Sequence, residues 1–137
     1  PITVRGLEAQ WDWRNGSGTR LFASYALTTI DASGTRFDAG YQDTAPRHGL
    51  GLLVSQKFGN GWQASLNYDY QSGMQWYRDE PIDRYHQLGA RIAKRFKLGS
   101  TPVVAEVIGA NLLGPIEDYL PDQSWDRTLF FRLSVDY

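Results

Sequence analysis

The C-terminal segment of the chain alternates between apolar and polar residues with a period of two. One set of alternate positions carries Leu129, Phe131, Leu133, Val135 and Tyr137, and most residues between them are polar. Because successive side chains of a strand point to opposite faces, this pattern predicts a strand with one apolar face and one mostly polar face. An apolar face that continues to a terminal aromatic residue is typical of the last strand of an outer-membrane β-barrel.

Six further segments show the same period, and the clearest is 62–71. Its apolar positions alternate with polar ones over ten residues, from Trp62 to Gln71. The other five predicted strands cover residues 3–13, 19–30, 47–58, 87–96 and 103–108. No segment keeps a helical period of 3.6 residues for three turns. The sequence therefore predicts an all-β, antiparallel up-and-down sheet of about seven strands.

The connections between these segments alternate in length. Residues 15–18, 59–61 and 98–100 are short and rich in Gly, Asn and Ser, as tight hairpin turns require. Residues 31–45, 72–83 and 114–126 are long and polar. Transmembrane barrels have short periplasmic turns and long extracellular loops. We therefore expect a segment of a transmembrane β-barrel whose C-terminus lies on the periplasmic side.

Composition and residue types exclude several classes of function. The chain has no cysteine, a net charge of −1 and only two histidines, His48 and His86. Thiol chemistry is therefore excluded, and nothing favours nucleic acid as a partner. Neither histidine has a carboxylate at a spacing typical of metal ligands, so we expect no catalytic residue, metal or cofactor, and no enzyme. No apolar run approaches the roughly 18–20 residues of a membrane-spanning helix.

Several segments together resemble the late barrel strands of TonB-dependent outer-membrane receptors. They are VRGLEA at 4–9, LFASYA at 21–26, APRH at 45–48, GWQASLNY at 61–68, NLL at 111–113 and RTL at 127–129. The resemblance covers essentially the whole chain but only the C-terminal part of such a receptor, without its plug domain. It implies a Gram-negative outer-membrane protein that takes up a substrate such as a ferric siderophore. It also implies that the outer-membrane insertion machinery reads the strand with Leu129, Phe131, Leu133, Val135 and Tyr137 as its signal.

Two sets of candidate functional residues follow from this interpretation. The charged and amide residues on the polar faces of the predicted strands would line the barrel lumen: Glu8, Asp12, Arg20, Asn67, Asp69, Arg91, Glu106 and Arg132. Aromatic and arginine residues of the long loops suit capture of an extracellular ligand. These candidates are Trp76, Tyr77, Arg78, Tyr119 and Trp125.

Seven strands leave two unpaired edges, which a bilayer does not tolerate. The expected partners are the lipid of the outer membrane and, at both edges, the remaining barrel strands or another barrel chain. An eighth strand through Thr35, Phe37, Ala39 and Tyr41 would instead allow a small free-standing barrel. Two other interpretations remain open: a soluble small β-barrel or sandwich that binds a small ligand, and a structural outer-membrane subunit without transport.

Overall fold

The computed structural model describes residues 1–32, 34, 40–76, 80–117 and 124–135, and within them the chain is all-β. Seven long strands form the main sheet: β1 (Ile2–Arg14), β2 (Thr19–Ala32), β3 (His48–Lys57), β4 (Trp62–Gln71), β7 (Tyr85–Leu98), β8 (Thr101–Ala110) and β11 (Thr128–Val135). Four short strands lie in the long connections: β5 (Met74–Trp76), β6 (Glu80–Ile82), β9 (Ile116–Glu117) and β10 (Ser124–Trp125).

The main sheet is an antiparallel meander in which every long strand pairs with its neighbours along the chain. Its order is β1, β2, β3, β4, β7, β8 and β11. The sheet is open, with β1 and β11 at its two edges. All tight turns therefore lie at one end of the sheet, the short-turn end, and all long connections at the other, the long-loop end.

The predicted all-β class and the seven antiparallel strands are confirmed. Segment 62–71 matches β4 at both ends, and the other long strands begin and end within about two residues of the predicted limits. The long connections were predicted as loops, but two of them contain short hairpins, β5 with β6 and β9 with β10. The proposed eighth strand falls largely outside the described residues, and Tyr41 lies in a turn.

The strands are staggered in one direction across the sheet. The row of directly paired residues that starts at Trp13, one residue before the end of β1, passes through Leu66 in β4. It reaches β11 at Leu129, the second residue of that strand. The row therefore climbs from the short-turn end to the long-loop end. In β-barrels a stagger of this kind is called shear, and it accompanies the tilt of the strands relative to the barrel axis.

The register gives the sheet two chemically different faces. The apolar face carries Trp62, Ala64, Leu66, Tyr68 and Tyr70 of β4 and the residues paired with them; the polar face carries the intervening Gln63, Ser65, Asn67, Asp69 and Gln71. Large side chains of the apolar face are exposed, with 65% of Leu129, 81% of Phe131 and 67% of Leu133 accessible. Among the described residues, the buried apolar side chains are Ala32, Met74, Ala93 and Val103. The apolar face therefore does not form a packed core in this sheet.

The sheet curves toward its polar face. Residues of five successive long strands, from Glu8 in β1 to Tyr85 in β7, line a single recess on that face. Glycines relieve the crowding inside the curve: a Cβ on Gly51 would lie 2.7 Å from Ser24 Oγ, and one on Gly89 would overlap Asn67 Oδ1. Glycine within a strand commonly marks such bends and close approaches.

Candidate functional site on the polar face

The eight residues predicted to line a lumen all lie on the polar face. The register places Asp12 in one row with Asn67, and Arg20 in one row with Arg91. The remaining four, Glu8, Asp69, Glu106 and Arg132, occupy the same face. The structure thus brings this set together on one curved surface. That the surface encloses a lumen stays a prediction.

Glu106 is the centre of an ion-pair cluster that joins three strands. Arg91 of β7 donates to Glu106 Oε1 from Nε at 2.9 Å and from Nη2, while Arg132 of β11 donates to Oε2. Only 5% of Glu106 is exposed, whereas both arginines reach solvent. Because both carboxylate oxygens accept charge-assisted hydrogen bonds, this buried acid is well satisfied.

Asp12 is the centre of a second cluster near the short-turn end. Its Oδ1 accepts a hydrogen bond from Arg20 Nε at 3.0 Å and its Oδ2 accepts from Arg14 Nη2 at 2.8 Å. Arg20 also lies over the Phe22 ring, at 5.8 Å from its centroid. These contacts fix two guanidinium groups against the wall of the sheet.

The polar face has two recesses, and their charged lining residues differ in sign. The long-loop recess, about 490 Å3, has Glu8 and Asp69 among its lining residues. The short-turn recess, about 360 Å3, has Arg14, Arg20 and Lys57 among its lining residues. The charged lining residues of the long-loop recess are therefore acidic, and those of the short-turn recess are basic.

Sequence reasoning did not select Arg14 or Lys57 as site residues. Arg14 was overlooked because it is the last residue of its strand, next to a turn. Lys57 has the same parity as Ser55, so the alternation of β3 assigns it to the polar face. Only the register between strands shows that these two cations share one recess.

The apolar face carries aromatic side chains at both ends. Near the short turns, Trp13, Phe58 and Trp62 are exposed, and Lys94 Nζ lies 4.9 Å from the Trp62 ring centroid. Toward the long loops, two tyrosines bond to histidines. Tyr25 Oη lies 2.8 Å from His48 Nδ1, and Tyr68 Oη lies 2.5 Å from His86 Nδ1. Both histidines therefore belong to an aromatic belt on the outside of the curve.

The predicted ligand-binding loop residues divide between two separate hairpins. Trp76 ends β5, and Trp125 ends β10 with an exposed side chain. Tyr77, Arg78 and Tyr119 lie outside the described residues. Asn111, which sequence reasoning did not select, bonds to the C-terminal end of the β9–β10 hairpin: its Nδ2 donates to the carbonyl oxygens of Trp125 and Asp126, each at 3.2 Å.

Four of the five residues predicted as an insertion signal lie on one face of the edge strand β11. Leu129, Phe131, Leu133 and Val135 are all exposed on the apolar face, and Tyr137 lies outside the described residues. Recognition of this strand by the insertion machinery stays a prediction.

Within the described ranges, no three His, Asp or Glu residues are grouped so that they could hold a metal ion. No helix in that part of the chain is long and apolar enough to cross a bilayer. No family model, curated protein or solved structure matches this chain.

Proposed function

We propose that this sheet is a section of the wall of an outer-membrane β-barrel, with its apolar face against lipid and its polar face toward the lumen. One observation carries the proposal: the outside of the curve is apolar and exposed, while the inside holds the ion-pair clusters of Asp12 and Glu106. Transmembrane barrels have this arrangement, whereas a soluble small barrel or sandwich packs its apolar face inward.

The height of the apolar face suits a bilayer. On β4 it extends from Trp62 to Tyr70, close to the roughly 9–11 residues that a tilted transmembrane strand needs. Its ends carry tryptophan on one side and the Tyr–His pairs on the other, and amphipathic rings prefer the headgroup regions. Nearer the long loops this face becomes polar, because the next residues on it are Arg5 of β1 and Thr29 of β2.

The direction of the two edge strands limits which further strands can complete a barrel. In a seven-strand antiparallel meander the first and last strands, β1 and β11, run in the same direction. Joining them directly, or joining β11 to β1 of a second copy, would create a parallel pair. An all-antiparallel barrel of even strand number therefore requires an odd number of further strands between these edges. We propose that other barrel strands, rather than copies of this sheet, supply them.

We further propose that the complete barrel is a TonB-dependent-receptor-like transporter that takes up a substrate such as a ferric siderophore. Support comes from the sequence resemblance and from the two hairpins that carry Trp76 and Trp125 at the long-loop end. In this proposal the chain contributes wall and loop surface, without catalysis, and the insertion machinery recognises β11. A barrel subunit without transport is the main alternative.

Depth-dependent quenching tests the membrane proposal. The chain has no cysteine, so single cysteines at Ala64, Ser65, Leu66 and Asn67 of β4 can be labelled with a fluorophore without background. In vesicles containing nitroxide-labelled lipid, we expect quenching at 64 and 66 and little at the matched positions 65 and 67. Equal quenching of neighbours, or a protein that stays folded and monomeric in buffer without detergent, would refute the proposal.

Transport requires a separate measurement. Cells that carry the intact protein should accumulate radiolabelled iron from its ferric siderophore only while TonB is present. A barrel that passes the quenching test but gives no TonB-dependent accumulation with any siderophore tested would support the structural alternative.

A further inference from the structure

The short-turn recess concentrates positive charge that the described residues do not neutralise. Arg14, Arg20 and Lys57 line it, and the single carboxylate of Asp12 pairs with both arginines. Within the described part of the chain, Lys57 has no ion-pair partner. The three cations and one carboxylate therefore leave two positive charges in a recess of about 360 Å3.

The arrangement is only partly compensated within the sheet. Arg14 and Arg20 lie directly opposite each other on β1 and β2, where like charges repel, and the one carboxylate of Asp12 that bridges them offsets a single positive charge. Lys57, on the third strand, adds another positive charge to the same recess. Departures from the local rules of stability commonly mark functional sites, because a ligand that binds there relieves the conflict.

The floor of the recess supplies hydrogen-bond donors in a row. In one row of directly paired residues, Arg14 of β1 and Arg20 of β2 are followed by Ser55 of β3 and Ser65 of β4. Guanidinium groups and hydroxyls match the oxygen atoms of carboxylate and phosphate. Asp12 already holds both guanidinium groups in place, so an incoming anion meets partly ordered donors.

We propose that the short-turn recess binds a small multivalent oxyanion that bears carboxylate or phosphate groups. Arg14 and Lys57 supply the charge that is available to it, and Ser55 and Ser65 supply hydroxyl donors. The site belongs to the polar face whatever covers the apolar face. This inference therefore goes beyond the proposed function, and its failure is distinguishable from a failure of the quenching experiment.

Equilibrium dialysis of the purified protein tests the site, with radiolabelled inorganic phosphate as one probe and citrate as competitor. Ionic strength is matched throughout with sodium chloride. We expect saturable binding of one phosphate per chain, displaced by citrate if carboxylate is also accepted. R14Q and K57Q should each weaken binding by about threefold to tenfold, as expected for loss of one exposed charge-assisted contact. K97Q removes a lysine from the same end of the sheet, outside the recess, and should leave binding unchanged.

Two results would overturn the proposal. One is phosphate binding that is absent, or that falls equally in K57Q and K97Q, because the effect would then reflect net charge alone. The other is an equal loss in K57Q and K57R. Lys57→Arg keeps the positive charge, so it should retain most of the affinity if charge at this position controls binding.

Discussion

Glu106 and Arg132 lie directly opposite each other on β8 and β11, and their ion pair ties the edge strand of the sheet to its neighbour. Arg91 binds the other oxygen of the same carboxylate from β7. The edge strand therefore has a polar anchor in addition to its backbone ladder. This anchor lies on the opposite face from the exposed Leu129 and Phe131.

The first prediction concerns this anchor. Glu106→Gln removes the charge but keeps the shape, and two guanidinium groups then lose their ionised acceptor. We expect the free energy of unfolding to fall by about 1.5–3 kcal/mol, the net size of a hydrogen bond to a charged group. Urea titration monitored by tryptophan fluorescence measures it. Glu8→Gln, an exposed carboxylate on the same face, is the control and should change stability by less than about 0.5 kcal/mol. Equal effects of the two substitutions would show that the cluster does not anchor β11.

The second prediction concerns crowding inside the curve. Alanine usually stabilises a strand relative to glycine, but a Cβ at position 89 would overlap the Asn67 amide. We expect Gly89→Ala to destabilise the sheet by about 1 kcal/mol, and expect Asn67→Ala to abolish that cost when both are combined. A double-mutant cycle in urea measures the coupling. Gly16→Ala, where a Cβ meets open space, should be neutral. Additive effects of G89A and N67A would contradict the close approach.

The strands were predictable because a strand with one apolar face and one polar face has apolar residues at every second position of its sequence. On β4, ten residues alternate without interruption, and Gly-Asn-Gly before it requires a turn, since Asn60 has a φ of 59° and Gly61 a φ of 78°. The short strands β5, β6, β9 and β10 were not predictable. Segments of two or three residues are too short to show a period, and some of their contacts are distant in the sequence, such as the hydrogen bond that Gln75 N of β5 donates to Asp43 O.

The same alternation predicts which residues lie on the polar face, but it does not predict which of them contact each other. Alternation assigns Arg91, Glu106 and Arg132 to one face. Which of them meet depends on the register, which turn lengths and strand stagger set between β7, β8 and β11. The short-turn recess shows the same limit, because only the register of three strands brings Lys57 into the recess that Arg14 and Arg20 line.

The third prediction uses two adjacent β-branched residues on opposite faces of β8. Val107 lies on the exposed apolar face and Ile108 on the polar face. If the apolar face meets lipid, Val107→Arg should destabilise the folded protein by about 2–4 kcal/mol and reduce its amount in the outer membrane. Ile108→Arg introduces the same side chain on the polar face and should be tolerated better, because repulsion from Arg91 directly opposite costs less than placing a charge in lipid. The comparison is made by quantifying folded protein in purified outer membranes. Similar amounts of the two variants would argue against a lipid-facing Val107.

The last prediction concerns Asn111, which follows β8 with a φ of 55° and is buried. Its amide donates to the carbonyls of Trp125 and Asp126 and accepts from Gln87 Nε2 at 2.8 Å. Asn111→Gly keeps the left-handed backbone accessible but loses these bonds, so hydrogen exchange at residues 124–128 should become faster. Asn111→Ala should cost about 1 kcal/mol more than Asn111→Gly, because alanine adds the left-handed strain.

Asn60 is a matched control for this prediction, because its φ is 59° in an exposed turn. Asn60→Ala should show the same strain relative to Asn60→Gly, but neither change should alter exchange at 124–128. If Asn111→Gly leaves that exchange unchanged, backbone conformation alone explains the asparagine, and its side chain does not order the C-terminal end of the β9–β10 hairpin. If substitution of Asn111, but not of Asn60, makes exchange at residues 124–128 faster, the Asn111 amide orders the hairpin that carries Trp125.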